Sequence, residues 1–165
     1  MDDKWLAWRT RRKVKADEVA VTAQSLYDLL VKEHLSPGLR ALGFKGSGGR
    51  YALAGVAPFA LLGLQKSAYS DAAEVQFTAN LTVVSEDVWQ TLRSQRPHYP
   101  ERPSPGTRYG DRVPQARIGA LTPSGEDKWW RVTSPELLSD VASDVLHDVE
   151  VYGVPWMRSQ LGAAD

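Results

Sequence analysis

The chain has 165 residues, 42% apolar and 24% charged, the make-up of one globular domain rather than of a disordered chain. It holds no cysteine, which excludes disulfides, thiolate metal sites and a cysteine nucleophile. Twenty Lys and Arg balance twenty Asp and Glu, so no overall field steers it to nucleic acid or to an anionic membrane.

The charge is unevenly placed. Lys4, Arg9, Arg11, Arg12, Lys13 and Lys15 form a basic N-terminal segment over 1–15 without an acid between them, whereas 136–150 is dominated by acids. The first fifteen residues lack the apolar run of roughly 7–15 residues that a secretory leader needs. No stretch reaches the ~20 apolar residues of a membrane span. A cytoplasmic location is the expectation.

Residues 17–35 carry good helix formers with Val19, Ala23, Leu26, Tyr27 and Leu30 at helical spacing, and Asp17 is a candidate cap. Ser36-Pro37 reads as the start of a second short helix through Leu42, stopped by Gly43. Phe44-Lys45 and Arg50 to Leu53 flank Gly46-Ser47-Gly48-Gly49 as a hairpin, and Phe59 to Ser67 is a further apolar run. From Glu74 to Val84 the chain alternates. Val75, Phe77, Ala79, Leu81 and Val83 fall on one face, which predicts a strand with that face buried. Ser85 caps a short helix holding Val88, Trp89 and Leu92.

Prolines and glycines over 96–114 forbid regular structure. Gln115 to Leu121 and Lys128 to Thr133 read as a hairpin turning at Pro123-Ser124-Gly125. Ser134-Pro135-Glu136 opens a last long helix, with Leu137, Leu138, Val141, Val145, Val149 and Tyr152 as its apolar face. Gly153 stops it, and Pro155 starts a final turn. The order predicts an α+β fold, a two-layer sandwich in which an antiparallel sheet of about five to six strands is flanked by N-terminal and C-terminal helices. One domain is expected over 16–162, carrying the Pro-rich loop 96–114.

Leu39-x-x-Leu42-Gly43-Phe44-Lys45, Leu64-Gln65-Lys66-Ser67, Phe77-x-x-Asn80, Arg117-Ile118 and Asp127-x-Trp129-Trp130, taken in order after a helix, resemble the bacterial family known as domain of unknown function 4304. The resemblance spans roughly residues 24–160 and leaves the basic segment outside it. It implies a small soluble protein without an established activity. Some members resemble immunity proteins that neutralise toxins.

Motifs for chemistry are sparse. The three histidines, His34, His98 and His147, are far apart in sequence, and no Gly-x-Ser-x-Gly elbow, P-loop or dinucleotide fingerprint is present. Catalysis is therefore not the expectation, and no metal or cofactor is assigned. Glu136, Asp140, Asp144 and Asp148 recur every fourth residue and form one acidic helical stripe. The stripe is either solvated surface, a surface for a basic partner, or a weak metal site through Asp144, His147 and Asp148. The basic segment 1–15 is its expected counterpart, within the chain or across a homodimer. The same segment, with Trp5, Leu6 and Trp8, can also stack on nucleic acid.

Trp129 and Trp130 are adjacent in an expected strand and so face opposite sides of the sheet. One is core and the other is a candidate binding anchor. Lys66, Arg117 and Arg131 fall on strands expected to neighbour one another and are grouped as a ring able to hold an anion. The leading reading is a non-enzymatic binding protein, immunity-like, that recognises a protein partner, either itself or a basic protein. The alternative is a small-molecule or anion site, with a hydrolase as one form of it, using Lys66, Arg117 and Trp130 under the Pro-rich loop. The second alternative is nucleic-acid binding through the N-terminal arm.

Overall fold

A computed structural model describes residues 21–162. The basic segment 1–15 and the cap expected at Asp17 lie outside the described residues. Among the described residues, the first helix is capped by Thr22, whose hydroxyl accepts from the Ser25 amide at 3.2 Å. Ala23–Leu29 is α-helical, Leu30–Leu35 is wound as π-helix, and Ser36–Ala41 is α-helical again, one run over 23–41 named α1. The break expected at Ser36 does not occur. Ser36 has helical backbone angles, and its hydroxyl shares a 2.6 Å hydrogen bond with the Tyr51 hydroxyl instead of capping.

The C-terminal helix behaves the same way. A 3-10 turn at Pro135–Leu137 leads into α-helix Leu138–Asp148, π-helix Val149–Gly153 and α-helix Val154–Gly162. We name this run over 135–162 α4. Gly153 does not stop it: a Cβ there would lie 3.4 Å from the side chains of Ile118 and Leu81, so the residue is a point of close packing. Both π-wound segments end just before a Ser-Pro or Val-Pro pair, at Pro37 and Pro155. Proline lacks an N–H and its ring crowds the carbonyl four residues back. Widening the preceding turn accommodates both defects, so each proline stays within a continuous helix. The buried face of α4 is Leu138, Ala142, Val145, Val149 and Met157, and Leu137, expected in the core, is 42% exposed.

Six strands form one antiparallel sheet: β1 Phe44–Ser47, β2 Arg50–Leu53, β3 Phe59–Lys66, β4 Val75–Val84, β5 Gln115–Arg117 and β6 Trp130–Val132. Short helices α2 (Glu86–Gln95) and α3 (Ile118–Leu121) lie between them. This is the expected α+β architecture. β1 to β4 follow in order, joined by hairpins, with Phe59 opposite Val84 and Lys66 opposite Phe77. The hairpin expected over 115–133 is not formed. β5 and β6 do not pair with each other. Both pair with the same edge of β4, Arg117 opposite Asn80 and Trp130 opposite Phe77. They are two halves of one interrupted strand, and residues 118–129 leave the sheet and return. Thr78 fills the gap, its hydroxyl donating to the Lys128 carbonyl at 2.7 Å. Gly119 is where the outgoing and returning legs touch: a Cβ there would lie 2.3 Å from the Glu126 carbonyl oxygen.

The alternation of β4 packs as expected. Val75, Phe77, Ala79, Leu81 and Val83 are buried under α1 and α4 in the main core. Phe77 meets the Tyr27 ring at 5.3 Å and the Trp130 ring at 5.5 Å. The other face of the sheet is covered over part of its area by a second core. There Phe59, Leu61 and Val84 meet Trp89 and Leu92 of α2 and Tyr109 and Val113 of the Pro-rich loop. Trp89 stacks on Tyr99 and stands edge-on to Tyr109 at 4.8 Å, and its indole donates to the Glu101 carbonyl. The irregular segment 96–114 is thus an aromatic-packed cover. It lands on the sheet at Gly63, where a Cβ would lie 2.6 Å from Pro105.

Phe77→Ala removes a fully buried ring from the junction of α1, β4 and β6. Its expected cost is about 3–5 kcal/mol by urea denaturation. A loss below about 1 kcal/mol would contradict this packing.

Candidate recognition site

Where the cover ends, the second face of the sheet opens into a cleft of about 310 Å³. Its floor is set by register. Asn80 on β4 lies beside Gly63 on β3 and Arg117 on β5, with Gln65 one alternation further along β3. Pro105 to Arg108 of the loop form the roof, and Asp127 of the returning leg forms the far wall. The floor side chains bond in sequence. Asn80 donates to Gln65 at 2.8 Å and accepts a long 3.4 Å contact from Arg117 Nε. Gln115 donates to the Thr82 hydroxyl and to the Thr107 carbonyl at 2.6 Å, and its oxygen accepts from the Tyr109 amide. One glutamine therefore ties the loop to the sheet from both of its polar atoms.

At the mouth, Asp127 Oδ2 accepts from Arg117 Nη1 at 3.0 Å and from the Trp129 indole at 2.8 Å. The Arg117 guanidinium lies 5.2 Å from the Trp129 ring centroid. Arg117 and Asp127 side chains are 38% and 50% exposed. Such a pair adds only about 0–1 kcal/mol of stability. What it does is hold a cation and an aromatic ring in fixed geometry at the cleft.

The returning leg alternates, so its even-numbered residues face the helices. Lys128 Nζ lies 2.8 Å from Asp144 and 2.6 Å from Asp148 of α4, and the Trp130 indole donates to Asp144 at 2.7 Å. The Asp148 side chain is 5% exposed and Lys128 34%. Burial pushes the Asp144 carboxyl up, but hydrogen bonds from Lys128 and Trp130 outweigh it and hold the group below its ordinary value. Burial likewise works against the Lys128 ammonium, and bonds to Asp144 and Asp148 raise its pKa overall. Two members of the acidic stripe are thus answered by Lys128 from within the domain. Glu136 and Asp140 remain exposed.

The other grouped residues separate. Arg117 and Trp129 stand together at the cleft. Trp130 is buried in the main core. Lys66 points to the helix side, bonding Gln24 at 3.0 Å and lying over the Tyr27 ring. Arg131 is on the cleft's face of the sheet but is 68% exposed and only 3.9 Å from Glu74. Gln65, Asn80 and Asp127, quoted above only for the family resemblance, and Gln115, named above only as the start of an expected strand, also belong to the site, and most of their partners lie elsewhere in the chain. Among the described residues no three His, Asp or Glu side chains are placed to hold a metal ion. Nor is any described helix long and apolar enough to cross a membrane.

Lys128→Met leaves Asp148 buried without its cation, and a loss of roughly 2–4 kcal/mol is expected, discounted for the partial exposure of Lys128. Because the Asp144 pKa is lowered on folding, its contribution is present at neutral pH and lost as pH falls through its folded-state value. Asp144→Asn should therefore destabilise at pH 7 and flatten the acid limb below the ordinary carboxyl value of 3.8. Urea denaturation between pH 2.5 and 7 checks both. An unchanged acid limb would show that Asp144 does not help hold Lys128.

No curated protein and no solved structure matches the chain. The sequence model of one family, described as a domain of unknown function (DUF4304), matches residues 35–159, most of the chain and all six strands. The chain belongs to that family.

Proposed function

We propose that the chain is a binding protein that recognises a protein partner through the cleft and the open sheet face around it, with Trp129 and Arg117 as the anchor. The observation that supports this reading most is the Arg117–Asp127–Trp129 assembly. An aromatic ring and a guanidinium are the side chains that most often dominate interface energies. Here they are held by a shared carboxylate before any partner arrives, so little freedom is lost on binding. The cleft lining carries no histidine, and its one carboxylate is engaged by Arg117 and Trp129, which suits recognition better than proton transfer. Neutralising a toxin, as the family resemblance suggests, is one form that such recognition takes. A second reading, a small anion between Arg108 and Arg117 under the Pro-rich loop, draws on the cleft's volume and its two cations.

Trp129 is only half-buried and Trp129→Ala leaves the core intact. Captured from the native host, the partner is expected to be retained roughly tenfold less by this variant. In the complex, hydrogen exchange is expected to slow at 105–108, 117 and 127–129. Equal retention by both baits, with protection elsewhere, would overturn the reading. Slowed exchange on adding phosphate or sulfate alone would favour the anion.

A further inference from the structure

A larger cavity, about 570 Å³, shares no lining residue with the cleft. It runs along α1 from Tyr27 and Asp28 to Arg40 and is closed on one side by the hairpin tip at Ser47 and Gly48. Asp28 to Arg40 spans roughly 18 Å of helix, so the cavity is an elongated groove. The π-wound stretch Leu30–Leu35 lies along it. Arg40 fixes its far end by donating to the Gly46 carbonyl at 3.2 Å. Ser36, on its wall, is satisfied by Tyr51, which also accepts from the Gly49 amide.

Tyr27 is the exception. The residue is only 7% exposed, and its ring is held by Phe77 and Lys66. Its hydroxyl has no hydrogen-bond partner among the described residues, and the residue lines the groove. Burial first, then Tyr51 and Asp28, raise its pKa above the ordinary value. The hydroxyl is not an enclosed atom, so it opens onto the groove as a donor free to meet an occupant. Nothing in the packing of the ring requires the oxygen.

We propose that this groove binds a short extended peptide, with a basic group at the Asp28 end, an acidic group at the Arg40 end, and a backbone carbonyl accepting from the Tyr27 hydroxyl. The length argues for a peptide. At about 3.3 Å per residue, five residues in extended form match the span. The charges argue for its direction. Asp28 stands at one end and Arg40 at the other, while Lys32 and Glu33 between them cancel. This proposal is independent of the recognition site, and a Trp129→Ala chain is expected to keep the groove's binding.

The test uses two pentapeptide pools, Lys-x-x-x-Asp and the charge-reversed Asp-x-x-x-Lys, both acetylated and amidated so that only side chains carry charge. Nuclear magnetic resonance titration is expected to move resonances of residues 27–40 and 47–48. The first pool should bind at least threefold more tightly than the second. Tyr27→Phe should weaken binding roughly fivefold while leaving stability to urea unchanged. No movement of these residues at millimolar peptide, or equal binding by Tyr27→Phe, would overturn the proposal.

Discussion

The Lys128 ammonium, held between Asp144 and Asp148, is the contact on which the arrangement of the cleft depends. Residues 118–129 leave the sheet between two halves of one strand, and an excursion of this kind has no ladder of its own to fix it. Three contacts fix its return: Thr78 on the Lys128 carbonyl, the close approach at Gly119, and the ion triad under α4. Since neighbours along extended backbone face opposite ways, securing Lys128 and Trp130 on the helix side sets Asp127 and Trp129 on the other. The anchor at the cleft is thereby fastened to the main core, although it is half exposed.

The same economy appears in the cover. A segment rich in proline cannot form a sheet or helix, yet it must bury its backbone or leave it wet. Here it wraps Tyr99 and Tyr109 around Trp89 and rests Pro105 on Gly63. Gln115 takes up the Tyr109 amide and the Thr107 carbonyl, and Thr82 makes a longer contact to the Pro105 carbonyl. Because the cover ends short of Gln65 and Arg117, part of the sheet's second face is left polar and open, and that boundary defines the cleft.

Much of this was legible in the sequence. The alternation from Val75 to Val83, the Ser85 cap and the glycine hairpin after Phe44 are local signals that the tertiary structure leaves unopposed. The interrupted strand was not legible. Pro123-Ser124-Gly125 has the chemistry of a hairpin turn, and the four-residue helix Ile118–Leu121 is too short to show a period. Ser36-Pro37 and Gly153 to Pro155 carry start and stop signals that π-winding and close packing override. For the site, the adjacency of Trp129 and Trp130 correctly separates an inner ring from an outer one. The grouping of Lys66 with Arg117 fails because alternation places Lys66, opposite Phe77, on the helix side. Gln65 and Asn80 stand in the motifs that carry the family resemblance, but like Gln115 they give no sign of a site, since an amide in a strand reads as ordinary solvent-facing surface.

Whether the Lys128 contact with Asp144 and Asp148, a clasp on the core side, holds Asp127 and Trp129 in place at the cleft is read by solvent exchange of the Trp129 indole proton in Asp148→Asn. The indole bonds to Asp127 on one face, while Asp148 grips Lys128 from the other. If the returning leg transmits the constraint, the proton exchanges faster in the variant while the β3–β4 amides stay protected. An indole exchange rate equal to that of the unmodified chain would show that the anchor stands without the clasp.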